Sequence, residues 1–98
     1  MKRDDALTIL QNNRDELRRR GVARAALFGS TVRDQAEAGS DVDVLVEIDP
    51  KANIGVYEYV AITRYLGELF AGRVDVANRA TLQPAVRPSA EREAVYAF

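Results

Sequence analysis

"FGSTVRDQAEAGSDVDVLVEI", residues 28–48, decides the fold. Its last nine residues, "SDVDVLVEI", alternate with the period of a β-strand, so Val42, Val44, Val46 and Ile48 share one face. Asp41, Asp43, Leu45 and Glu47 take the other. Two aspartates two positions apart on one strand have their roots only about 6 to 7 Å apart, and ionised carboxylates that close repel unless a cation or a proton intervenes. A chain that needs this strand in its sheet therefore carries a local cost at Asp41 and Asp43. Ahead of the strand, Gly29 and Ser30 form a turn, with Ser30 placed to cap a short helix through "TVRDQAEA" before Gly39 ends it.

Working outward, "VARAALF" at 22–28 is short and mostly apolar and runs into Gly29, which predicts a first strand whose Arg24 faces an open side. Upstream, Leu7, Leu10 and Leu17 recur near helical spacing, so one amphipathic helix is expected over 5–20, with Asp4 or Asp5 at its start, arginines at its end and Gly21 as its stop. Downstream, Val56, Tyr59, Val60, Thr63, Leu66 and Leu69 predict a helix over 53–70 that covers one sheet face. "RVDVA" at 73–77 reads as a third strand. The tail from 81 to 98 carries Pro84 and Pro88, tolerable in a first helical turn but not mid-helix, so two short helices joined near Arg87 are expected. The sum is an α/β (α+β) fold, a small mixed sheet of about three strands packed with helices, in one domain over 1–98.

Composition narrows the chemistry. The 98 residues are of ordinary size for one core, and 14 basic against 15 acidic side chains leave a formal charge of −1, unlike proteins that grip nucleic acid by neutralising phosphates. Tight nucleic-acid binding is not expected. With neither cysteine nor histidine, disulfides, thiolate or imidazole metal sites and histidine-based acid/base catalysis are excluded by inventory. Any metal must be held by oxygen. No apolar run approaches the ~20 residues of a membrane span, and the N-terminus is too acidic for a signal peptide, so a cytoplasmic protein without membrane contact is expected.

A further acid, Asp75, sits between valines in the third strand. If that strand lies beside the second, Asp75 projects on the side of Asp41 and Asp43, and three acids then surround one or two Mg²⁺ ions, hard cations that complete their octahedra with water and phosphate oxygens. At the Gly29-Ser30 turn the backbone can approach a phosphate closely, and the free N–H groups and serine hydroxyl suit an anion. Strand, Gly-Ser, helix, then acids is a layout for a nucleoside triphosphate.

Gly29-Ser30, ten intervening positions, then Asp41-Val42-Asp43 resembles the GS-x10-DxD signature of the DNA polymerase beta-like nucleotidyltransferases, and the likeness covers nearly the whole chain. Its shortness, "SDVDVLVEI", "VDVA" and the closing "EREAVYAF" are similar to the minimal nucleotidyltransferases, antitoxins paired with HEPN-domain ribonuclease toxins. The resemblance implies that Asp41 and Asp43 bind Mg²⁺, that Asp75 helps to activate the acceptor hydroxyl, and that AMP passes from ATP to a tyrosine of the partner toxin. Members often read "GSRARG" at the turn, whereas this chain reads "GSTVRD", with Thr31 in place of the first arginine, Arg33 kept as a phosphate contact and Asp34 in place of glycine. Larger relatives add domains to grip their acceptor, so here the acceptor surface is expected from a partner. A binding module that neutralises a toxin by covering it is the rival, and transfer to a small molecule is a third reading.

Overall fold

The computed structural model describes residues 2–32, 41–82, 84–85 and 87–98, without the side chains of Ser30 and Arg87. Along these the order is α1 (Arg3–Asn12), α2 (Arg14–Arg19), β1 (Val22–Leu27), β2 (Val42–Ile48), α3 (Val56–Leu69), β3 (Val74–Asn78), α4 (Arg87–Glu93) and β4 (Val95–Tyr96). Short 3₁₀ turns occupy Gly29–Thr31, Pro50–Ala52 and Arg79–Thr81.

The sheet runs β3-β2-β1-β4. β1 lies antiparallel to β2 and to β4, while β2 and β3 are parallel, as two strands joined through a crossover helix, here α3, must be to stay adjacent. The valine face of β2 meets α1, α2 and α3 in one core of Leu10, Leu17, Val22, Leu27, Val44, Val46, Ile62 and Leu66. Each fully buried leucine or isoleucine there contributes roughly 1.5–3 kcal/mol. Ala26 and Leu45, paired across β1 and β2, are also fully buried but lie on the other face, outside that core. α4 is tied to this second face by Arg79, which donates to Glu91 of α4 and to Glu47 of β2.

Three expectations change. The helix expected over 5–20 is broken at Asn13, whose amide donates to the Ile9 carbonyl at 2.8 Å and whose side-chain oxygen accepts from the Tyr65 hydroxyl at 2.9 Å. An asparagine that bonds its own backbone competes with helix continuation, and α3 holds it there. In the tail, the expected helix beyond Arg87 is present as α4 with Pro88 in its first turn, while of the helix expected before it Leu82, Pro84 and Ala85 are not helical and 83 and 86 lie outside the described residues; Val95–Tyr96 pair with β1 as β4. The sheet thus gains a fourth strand on the edge of β1. Of the helix expected after Ser30, Gly29–Thr31 is a 3₁₀ turn, and 33–40 lies outside the described residues.

Candidate active site

β2 and β3 pair in a register that sets Val42 beside Val74, Asp43 beside Asp75 and Val44 beside Val76. Register partners on neighbouring strands project to the same face, so Asp43 and Asp75 stand side by side with roots ~5 Å apart. The condition placed on Asp75 by the sequence is met: its strand adjoins β2, and it faces with Asp43. Asp43 is half-buried and Asp75 exposed, while Asp41 is exposed one residue before β2 begins. The ladder reaches back to this point, because Val42 N–H donates to the Arg73 carbonyl at 2.8 Å.

The turn after β1 grips Asp43 at its main chain. Phe28 N–H donates to the Asp43 carbonyl at 3.1 Å, and Asp43 N–H donates to Thr31 Oγ1 at 3.0 Å. Between these two anchors Gly29 has φ +63°, a left-handed conformation that disfavours any Cβ. A Cβ built on Gly29 would lie 2.8 Å from Asp43 Oδ2. The missing side chain is the notch in which that carboxylate rests. Ser30 is the middle residue of that turn. Arg33, the expected phosphate contact, lies outside the described residues.

The donor set suits a hard divalent cation. Its members Asp41, Asp43 and Asp75 offer only carboxylate oxygens at an open, hydrated edge, with a backbone notch against one of them. Among the described residues no three such side chains form a cluster that could hold an ion. A surface hollow bordered by described residues lies away from the acids. It measures about 400 Å³ and is lined by Ile48, Ile54, Val56, Tyr59 and Val60, at the C-terminal ends of β2 and β3, whereas the acids are at the N-terminal ends.

Further along the acid face the sequence reading missed a polar network. Glu47, which shares the strand face of the aspartates, is only 20% exposed. It accepts from Tyr96 Oη at 2.7 Å and Arg79 Nη1 at 3.2 Å, and pairs with Arg24 at 3.7 Å. Arg24 also lies over the Tyr96 ring, 3.9 Å from its centroid. Burial first, then the bond to Glu47, pushes the Tyr96 phenol above its ordinary range; Glu91 first, then Glu47, raises Arg79 further. The visible signal was Glu47 on the acid face of β2, but its partners come from β1, β4 and the 3₁₀ turn after β3, whose placement no local pattern supplies.

Comparison with known proteins agrees with this geometry. Residues 10–97 match the model of the nucleotidyltransferase domain family. A curated relative, protein adenylyltransferase MntA of Thermococcus cleftensis, is 34% identical over 90 residues, covering 91% of this chain and 89% of that protein. A solved structure described as a minimal nucleotidyltransferase superposes with TM-score 0.74 at 28% identity, over 97% of this chain and 95% of the other. In fold alone, the chain also resembles a component of the complex of tri-AMPylated Shewanella oneidensis HEPN toxin with MNT antitoxin. There the TM-score is 0.64 at 14% identity, over 94% of this chain and 71% of that one. Among the described residues no helix is long and apolar enough to cross a membrane. With a matching signature, acids aligned across β2 and β3 and a family match over most of its length, the chain belongs to the nucleotidyltransferase domain family and is a nucleotidyl-transferring enzyme.

Proposed function

We propose that this protein is the antitoxin of a HEPN-type toxin and transfers AMP from ATP to a hydroxyl, a tyrosine of that toxin, releasing pyrophosphate. The observation that carries the proposal is the side-by-side placement of Asp43 and Asp75 beside the Gly29 notch. The relative named as a protein adenylyltransferase supports the reaction class, and the AMPylated toxin bound to an antitoxin of the same fold supports the partner class.

In this reading the acceptor oxygen attacks the α-phosphorus of ATP, the bond from that phosphorus to the bridging oxygen breaks, and pyrophosphate leaves with the electron pair. Asp75, the exposed member of the pair, takes the acceptor proton and passes it to water. Asp41 and Asp43 would hold Mg²⁺, which when bound neutralises charge on the transferred and departing phosphate oxygens. Gly29 and Ser30 bring backbone against the triphosphate, with Arg33 as a further phosphate contact. The exposure of Asp41 and Asp75 suits an acceptor carried on another protein, since the partner's surface then supplies the orientation and the exclusion of water.

A second reading is neutralisation of the toxin by covering it. It draws on exposed apolar surface at Val56 and Tyr57 of α3, 78% and 89% exposed. Incubating the protein, Mg²⁺ and α-labelled ATP with the HEPN-type product of the adjacent gene distinguishes the two. Label on the toxin, lost in Asp43→Asn, supports transfer. Rescue of cells by a variant lacking all three acids supports covering instead.

A further inference from the structure

We infer that Thr31 is a positioning residue for the catalytic carboxylate, a role that rests on the reading of Asp43 given above. Thr31 is buried, with 1% of its surface exposed, and is the buried polar residue recorded among the described residues. Its Oγ1 accepts the Asp43 N–H at 3.0 Å. This N–H belongs to β2 at the mouth of the sheet, where Asp43 presents its carbonyl to Phe28 N–H at 3.1 Å. Both main-chain groups of Asp43 are therefore held by the turn 28–31, one by backbone and one by a side chain.

The carboxylate has its own constraint from the same turn. With Oδ2 lying 2.8 Å from where a Gly29 Cβ would be, the carboxylate fits closely against that backbone. A shift of β2 relative to the turn, by a few tenths of an ångström, changes this contact. Thr31 is the side chain that fixes that relative position, so the turn that would receive the triphosphate and the acid that would hold the cation move as one unit. An arginine at this position, as the resemblance leads one to expect, has no hydrogen-bond acceptor to offer the Asp43 N–H. The threonine in this chain thus adds a link between turn and strand that an arginine side chain cannot make. Its γ-methyl occupies the same buried space, so packing and hydrogen bonding need separate tests.

Thr31→Val keeps the shape and removes the acceptor; Thr31→Ser keeps the acceptor and removes the methyl. The full-length protein is titrated with Mn²⁺ in the presence of a non-hydrolysable ATP analogue, following bound Mn²⁺ by paramagnetic resonance. Transfer to the toxin is measured in parallel at a temperature where melting curves show each variant folded, with Thr31→Ala as a second acceptor-less variant should Thr31→Val not fold. Positioning predicts that Val and Ala weaken Mn²⁺ binding and lower kcat by about 10- to 100-fold, as loss of an outer partner of a metal-binding group does, while Ser stays within about 3-fold of wild type. The opposite ranking, Val like wild type and Ser impaired, assigns Thr31 to packing and overturns the inference, as do equal values for all variants despite lowered melting temperatures. If wild type binds Mn²⁺ but labels no toxin, the adenylyl-transfer reading fails, while the ranking in Mn²⁺ binding still decides the role of Thr31. If wild type binds no Mn²⁺, both are refuted.

Discussion

Replacing Gly29 by alanine tests the geometry of the acid site through two separable costs. The first is conformational: at φ +63° a non-glycine residue costs about 1–2 kcal/mol. The second is contact, because the new methyl would stand 2.8 Å from Asp43 Oδ2, inside ordinary van der Waals distance. The carboxylate is the tip of a short side chain and can turn aside, so the contact is relieved at about 0.5–1.5 kcal/mol of off-rotamer strain. The total, roughly 1.5–3.5 kcal/mol, lowers the melting temperature by roughly 6–28 °C at this chain length. Turning aside also removes the carboxylate from its working position, so at temperatures where Gly29→Ala is folded, AMP transfer falls far more than the folded fraction does. Combining Gly29→Ala with Asp43→Ala removes the contact and leaves the conformational cost, so the two substitutions are coupled by about 1 kcal/mol in thermal unfolding. If Gly29→Ala melts with wild type and transfers at the wild-type rate, the turn does not hold Asp43 as described.

The remaining predictions concern other parts of the acid face and the helix packing. Asp75→Asn relieves repulsion between neighbouring strands, leaving stability unchanged or raised by up to about 1 kcal/mol, while transfer drops by about 100-fold or more; lost stability with retained transfer would make Asp75 structural. Tyr96→Phe loses the bond to Glu47 and costs about 1–2 kcal/mol at neutral pH, measured by urea unfolding. Because the folded-state phenol of Tyr96 is raised, its contribution is complete below the unfolded value of about 10 and is lost as pH rises through the folded one, so Tyr96→Phe flattens the alkaline loss of stability. Tyr59, raised by burial, leaves a residual slope; an unchanged slope in Tyr96→Phe would refute the assignment. Tyr65→Phe frees Asn13 and lowers the melting temperature by about 4–8 °C, the equivalent of roughly 1 kcal/mol, and an unchanged value would mean that the break between α1 and α2 does not depend on α3.

What the sequence made legible follows from the range of each interaction. The alternation in β2 is local, and so are the spacing of Gly29, Ser30, Asp41 and Asp43 and the valines around Asp75, so the acids and their strands could be read directly. That β3 lies beside β2 was a condition in the sequence and became a fact through α3, the crossover that brings the parallel strands together. The break at Asn13 was hidden because the Tyr65 hydroxyl that holds it is 52 residues away. Strand β4 is two residues long and owes its existence to pairing with Ala26 and Leu27 rather than to any pattern of its own. Thr31 read as a substitution at a family position; its hydrogen bond to Asp43 needs the fold of the turn to be seen. The network around Glu47 draws on three strands, a 3₁₀ turn and a helix, which no window of sequence contains.

The central claim is that Asp41, Asp43 and Asp75 converge on cations beside the Gly29 turn when nucleotide is bound. A crystal structure with Mn²⁺ and a non-hydrolysable ATP analogue, with data collected at the manganese absorption edge, tests it most directly. The account predicts anomalous density at about 2.1–2.3 Å from oxygens of Asp41 and Asp43, with the triphosphate against Gly29 and Ser30 and Asp75 on the same side. Manganese bound elsewhere, or nucleotide seated in the apolar hollow at the far ends of β2 and β3, would contradict it.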